Sequence, residues 1–134
     1  MKQQSGFTLI ELIAVIVILG IIAAVAVPRF VNLSAAAEQA AVKGVVGSLA
    51  SASSLNYAAA LAADSGLDNA PPTTTVATCA DVPTLLEAGA LPDATYSIAG
   101  GNIDDGGTGE TGETGDCTVT KGGASETFTA YRVN

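Results

Sequence analysis

Glu11 is the only ionisable side chain between Phe7 and Val27, in a run that otherwise reads FTLI-LIAVIVILGIIAAVAV. A lone carboxylate in such a run is unfavourable unless a cation or hydrogen-bond donors meet it. The other candidates for chemistry are few. Cys79 and Cys117 are the two cysteines, and no CxxC exists for a redox or zinc role. The glycine-rich loop Gly100–Asp116 carries Asp104, Asp105, Glu110, Glu113 and Asp116. Oxygen ligands on such a loop could hold calcium, but the spacing matches no EF-hand, so a solvated, mobile surface loop is expected and no metal. There is no histidine, and the serines cluster without a base. No glycine-rich piece follows a strand and opens a helix, so no phosphate loop is expected. This is not the residue set of an enzyme, and no cofactor is implied.

The 134 residues suit one domain with an appendage. Apolar residues make up 49% and charged ones 13%, well below the roughly 25% common in globular chains. The apolar excess sits at the front. As a helix, Phe7–Val27 is about 30 Å long, a bilayer core. The remainder is polar and acidic, and the net charge is −8. The bases Lys2, Arg29, Lys43, Lys121 and Arg132 are dispersed, which leaves no footprint for nucleic acid. Lys2 ahead of the run and net acid behind it place the N-terminus in the cytoplasm. The cysteines then lie outside the membrane, where disulfides persist. A Cys79–Cys117 bridge closes a loop of about 38 residues, worth roughly 3–4 kcal/mol in the chain-entropy model. The alternative is two unpaired buried thiols.

The helical pattern continues beyond Val27. Val42, Val45, Val46 and Leu49 recur at i, i+3, i+4, i+7, and Leu55, Ala59 and Ala62 extend a stripe, with Ser51, Ser53 and Ser54 as polar positions. The spacing predicts a helix from Phe7 to about Ala63, stopped by Asp64-Ser65-Gly66. Its first half is apolar all round, and its second is amphipathic and needs a partner sheet. Pro28 lacks an N–H and crowds the carbonyl of Ala24, so a kink or break is expected there, with Gly20 a second weak point. Farther on, Asp81 could cap a short helix, Val82–Ala88, ended by Gly89. Strands are expected at Thr95–Ala99, Cys117–Lys121 and Glu126–Val133, the last two joined by Gly122-Gly123. Ile98, Val119, Phe128 and Val133 would face the helix. The fold class is α+β: a long helix whose second half packs on a small antiparallel sheet.

Three readings compete for the apolar run. A secretory signal cut after Ala24-Val25-Ala26 would release a soluble acidic binding protein starting at Val27, but the run is long for that and Glu11 serves nothing. A plain anchor also leaves Glu11 unexplained. The stretch GFTLIELIAVIVILGIIAAVAVPRF, with Pro28 at its end, resembles the N-terminus of type IV pilins of the short-leader kind. Type II secretion pseudopilins share it. The resemblance covers Gly6 to about Leu33, and VPRFVNL is weakly similar to mannose-sensitive haemagglutinin pilins.

The resemblance implies a set of expectations. A prepilin peptidase cuts after Gly6 and methylates the new N-terminus at Phe7. Residues 1–6 are leader, 7–27 the membrane and later filament-core helix, 28–63 the amphipathic half, and 64–134 a head with a disulfide-closed C-terminal region. The new Phe7 amine is a cation near neutral pH. Glu11, four residues on, can balance it within a helix or between subunits, and a mis-staggered subunit leaves a buried charge unpaired. In the filament, the segment between Gly20 and Pro28 loses helicity. The implied function is a structural subunit of a pilus serving adhesion, motility or DNA uptake, with a secretion pseudopilin as the alternative. The disulfide-closed loop leans towards a pilin. Expected partners are further copies in a helical filament, the inner membrane, the peptidase and the assembly machinery. The expected place is the inner membrane, then the surface of a Gram-negative cell.

Overall fold

The computed structural model describes residues 6–104 and 106–134. Residues 1–5, Lys2 among them and expected to belong to a leader, and the loop acid Asp105 lie outside the described residues. Helix α1 spans Leu9–Asp64. The chain divides into two compact units, Met1–Ala36 and Ala37–Asn134.

In the first unit α1 carries no polar side chain from Leu12 to Val27. Its large side chains are exposed throughout, from 46% at Ile13 to 76% at Leu9. An 18-residue window here has a mean hydropathy of 3.0, long and apolar enough to cross a membrane. The backbone is helical on both sides of Gly20 and of Pro28.

The second unit is built on three antiparallel strands, β1 (Tyr96–Ala99), β2 (Thr114–Lys121) and β3 (Ala124–Tyr131), in the order β1-β2-β3. Cys117 lies opposite Phe128 and Val119 opposite Glu126 across β2 and β3, and Ile98 pairs with Val119 across β1 and β2. The β2–β3 turn is Gly122-Gly123, with Gly122 at φ 58°, the positive φ that a two-residue hairpin loop requires at its first position. Alternation puts Val119, Phe128 and Ala130 in the core with Val42, Val46 and Leu49 of α1, and Ile98 packs against that cluster half-buried.

Several boundaries differ from the sequence expectation, each for a local reason. β1 starts one residue late because Thr95 is taken up by Asp93, whose carboxylate accepts both its N–H, at 2.7 Å, and its hydroxyl. β3 ends at Tyr131, and Val133 turns to exchange backbone hydrogen bonds with Val76 at 2.8 and 3.1 Å. The short helix expected over Val82–Ala88 is a single 3₁₀ turn, Val82–Leu85, with no side-chain cap from Asp81. Pro83 removes one of the two N–H groups that a capping carboxylate takes, and the other, of Thr84, donates to the Asp81 backbone carbonyl at 3.0 Å. The Asp81 carboxylate looks back instead, accepting from Thr78 N at 2.8 Å, Thr78 Oγ1 at 2.9 Å and Ala77 N at 3.1 Å. These bonds, Thr78 first, hold Asp81 below the ordinary aspartate range.

The core-facing line of α1 also differs. It runs Val42, Val46, Leu49, Ser53, and Ser53 is wholly buried while Leu55 is 71% exposed. Ser53 Oγ accepts the Tyr131 N–H at 2.9 Å, an outward-facing donor at the free edge of β3. Beyond it Tyr57 stacks on Tyr131, ring centroids 4.9 Å apart.

The acidic loop, expected to be solvated, is held at several of its described residues. Ile103 inserts into the core with no exposure. The Glu113 carboxylate accepts the N–H groups of Thr108 at 2.6 Å and Gly109 at 2.8 Å. β2 begins at Thr114, three residues before Cys117. Cys79 and Cys117 form a disulfide, Cα atoms 5.5 Å apart, with both residues buried. The backbone at Gly100 lies so close that a Cβ there would collide with the Cys79 sulfur.

Candidate assembly site at the helix N-terminus

Helix α1 opens at Leu9, two residues later than the hydropathy pattern suggests, because Thr8 caps it. Glu11 stands at the third helical position. Its Oε2 accepts the Thr8 N–H at 2.8 Å and the Thr8 hydroxyl at 2.6 Å, and the Glu11 N–H points back to Thr8 Oγ1 at 3.4 Å. This is a capping box, in which two residues satisfy each other's free N–H groups. The carboxylate also faces the positive end of the helix dipole.

Gly6 and Phe7 precede the helix in non-helical backbone and are exposed, Phe7 at 85%. A Cβ added at Gly6 would meet no atom of the described residues beyond its chain neighbours within 4 Å. The Phe7 nitrogen is an amide, and the hydrogen bonds of Glu11 among the described residues are with Thr8. Thr8 is the site residue that reading for charge alone misses. The signal was present: T-L-I-E is the T-x-x-E pattern immediately ahead of an apolar run.

The remaining candidate residues fall elsewhere. Gly20 and Pro28 lie within α1, and Cys79 and Cys117 are in the core of the second unit. Among the described residues no group of three metal-ligating side chains comes together.

Comparison with known proteins finds its family match at the N-terminus. Residues 1–27 match the family model described as the prokaryotic N-terminal methylation motif. Over 50 residues, 37% of this chain and 43% of the relative, the chain is 54% identical to the type IV narrow pilus major component PilA5 of Thermus thermophilus. It is 47% identical over 51 residues to the type II secretion system core protein G of Pseudomonas aeruginosa, 38% of this chain and 36% of that one. A fimbrial protein of Pseudomonas aeruginosa is 54% identical over 35 residues, 26% of this chain and 23% of the relative. The chain thus spans less than half the length of the curated relatives it matches. No solved structure matches it.

Proposed function

We propose that this chain, whose N-terminal segment carries the methylation motif of type IV pilins and pseudopilins, is a structural subunit of a type IV pilus and not an enzyme. The observation that carries this reading is the uncovered apolar surface of α1, which begins directly behind Gly6, Phe7 and Glu11. In the precursor, that surface is solvated by the inner membrane. Outside it, only other copies of the same helix offer a large enough apolar cover, at roughly 25 cal/mol for each Å² removed from water.

Cleavage after Gly6 by a prepilin peptidase gives Phe7 a cationic amine, which is then methylated. Glu11 is handed from its Thr8 cap to that amine, on its own or a neighbouring subunit. An unpaired charge in a dry filament core is strongly disfavoured, so the pair fixes the stagger. The mature filament lies on the surface of a Gram-negative cell, and the acidic second unit faces water.

The identity to the secretion core protein G supports a second reading, a pseudopilin of a type II secretion machine. The disulfide and the two pilus relatives favour the first. An intact mass on filaments sheared from the cell surface separates them. A chain starting at methylated Phe7, with Cys79 and Cys117 bridged, is the expected result. The same mass confined to the envelope selects the pseudopilin. A chain starting at Val27 sinks both.

A further inference from the structure

The second half of α1 has two apolar faces, and its own sheet covers one. Val42, Val46 and Leu49 face the core, whereas Leu55, Ala59 and Ala62 line an open groove of about 600 Å³ within the second unit. Its opposite wall is Pro71-Pro72 and Leu85. The wall is built rather than incidental. Asn56 clamps it to the helix, donating from Nδ2 to Thr74 O at 2.7 Å and accepting the Thr74 N–H on Oδ1 at 2.9 Å. The polar groups at the rim thus satisfy each other, and what remains to be covered is aliphatic. No charged side chain lines the groove, in a chain of net charge −8.

We infer that this groove is a docking surface for a second copy of the chain, and that its occupant is the apolar stretch of that copy's α1, within residues 9–27. The inference rests on the filament reading and adds to it where the incoming helix seats. Its warrant is chemical match. From Leu12 to Val27 the occupant has no charge, like the groove, and its aliphatic side chains stand exposed on every face. Such a helix can press one ridge of side chains between α1 and the proline wall. Each copy carries one apolar helix stretch and one groove, built from different residues. The contact is therefore heterologous, and contacts of that kind propagate into open filaments when they do not close into a ring. An acidic or basic partner finds nothing to pair with here.

The test replaces Leu55, which is exposed and so dispensable to folding of its own unit. Leu55→Glu should reduce sheared filament by roughly tenfold or more, the loss of one well-packed contact per subunit. The subunit should still enter the membrane and form its disulfide. Leu67→Glu, at an apolar residue that is 62% exposed and outside the groove, should assemble as the parent does. In parallel, a photo-cross-linking benzoylphenylalanine at position 55 in assembled filaments should give an adduct with a peptide inside residues 9–27 of another copy. Normal filament yield from Leu55→Glu, or an adduct to any other peptide or protein, overturns the groove assignment and leaves the filament reading standing. If the parent chain forms no filament at all, the filament reading fails and the groove assignment falls with it.

Discussion

The Glu11 carboxylate accepts two hydrogen bonds from Thr8, one from its backbone and one from its hydroxyl, at 2.8 and 2.6 Å. The pair gives Glu11 a role before any second subunit arrives, as the start signal of a helix. It also supplies donors to a carboxylate that would otherwise enter the membrane with none, where an unsatisfied charge is strongly unfavourable. Capping and charge pairing are separable by substitution. Glutamine can fill the same position of a capping box but carries no charge. In Glu11→Gln the helix should still open at Leu9, read from the Thr8 amide resonance in micelles, while filament yield collapses. Thr8→Val should fray the first turn, at about 0.5–2 kcal/mol, without removing the charge. Filaments from Glu11→Gln at the parent's level would show that Glu11 acts through the cap alone.

Helix α1 runs through Gly20 and Pro28 in the single chain. Pro28 leaves the Ala24 carbonyl without its helical donor, and Gly20 weakens helix by about 1 kcal/mol relative to alanine. Close packing against neighbours can then favour an extended segment between them. Amides from Gly20 to Arg29 should exchange faster in the assembled filament than in the micelle-bound subunit. Uniform protection across that segment in the filament would mean that the helix survives assembly intact.

The second unit is held by a small core, so the disulfide matters to it. It ties the segment ahead of the 3₁₀ turn to the middle strand, at a separation of 38 residues. Replacing both cysteines by serine should cost about 2–5 kcal/mol, seen as a lower urea midpoint for the full chain in detergent. An unchanged midpoint would mean that the surrounding aliphatic contacts alone close this loop.

Ser53 makes a sharper test of the packing. Ser53→Ala leaves the Tyr131 N–H facing a buried helix surface with no acceptor, at about 1–3 kcal/mol. Ser54 is exposed and its hydroxyl bonds only the Ala50 carbonyl, so Ser54→Ala should lie within about 0.5 kcal/mol of the parent. Equal urea midpoints for the two variants would show that water replaces the Ser53 oxygen.

These residues also show where sequence reasoning stops. The long helix and the three strands were legible because their periods are strong, 3.6 and 2. The cysteine pairing was legible because there are only two. The continuation of the core stripe was not. Leu55 is more apolar than Ser53, yet six positions past Leu49 it falls on another face of the helix, whereas Ser53, four past, falls on the same one. A serine was buried because an edge strand needed an acceptor there, which no local pattern reveals. Asp81 has the type of a cap, but Pro83 offers no N–H and the Thr84 N–H goes to the Asp81 carbonyl, not its carboxylate. Ile103 looked like part of a solvated loop because its neighbours are glycines and acids, and only the tertiary fold shows it filling the core. At the functional end the reverse held. Thr8 was readable from T-x-x-E, and attention to the charge of Glu11 hid it.

Two aspartates of the second unit are held below the ordinary carboxylate range. Asp81 is held below its ordinary value of 3.8 by hydrogen bonds from Thr78, with Ala77 adding to them. Asp93 is held down mainly by the Thr95 hydroxyl and N–H, with Lys121 at 3.3 Å contributing less. For a depressed carboxylate the linkage has one sign: the stabilisation is fully present above the unfolded value and is lost as pH falls through the folded one. The urea midpoint should therefore hold steady down to about pH 5 and decline below about pH 4. Asp81→Asn should flatten part of that decline, because its side chain no longer titrates, while lowering the midpoint at neutral pH. Asp93 should contribute less, since it is exposed and screened. A midpoint that rises as the pH falls from 5 to 3 would reverse the sign, and would mean that relief of repulsion among the other acids outweighs both aspartates.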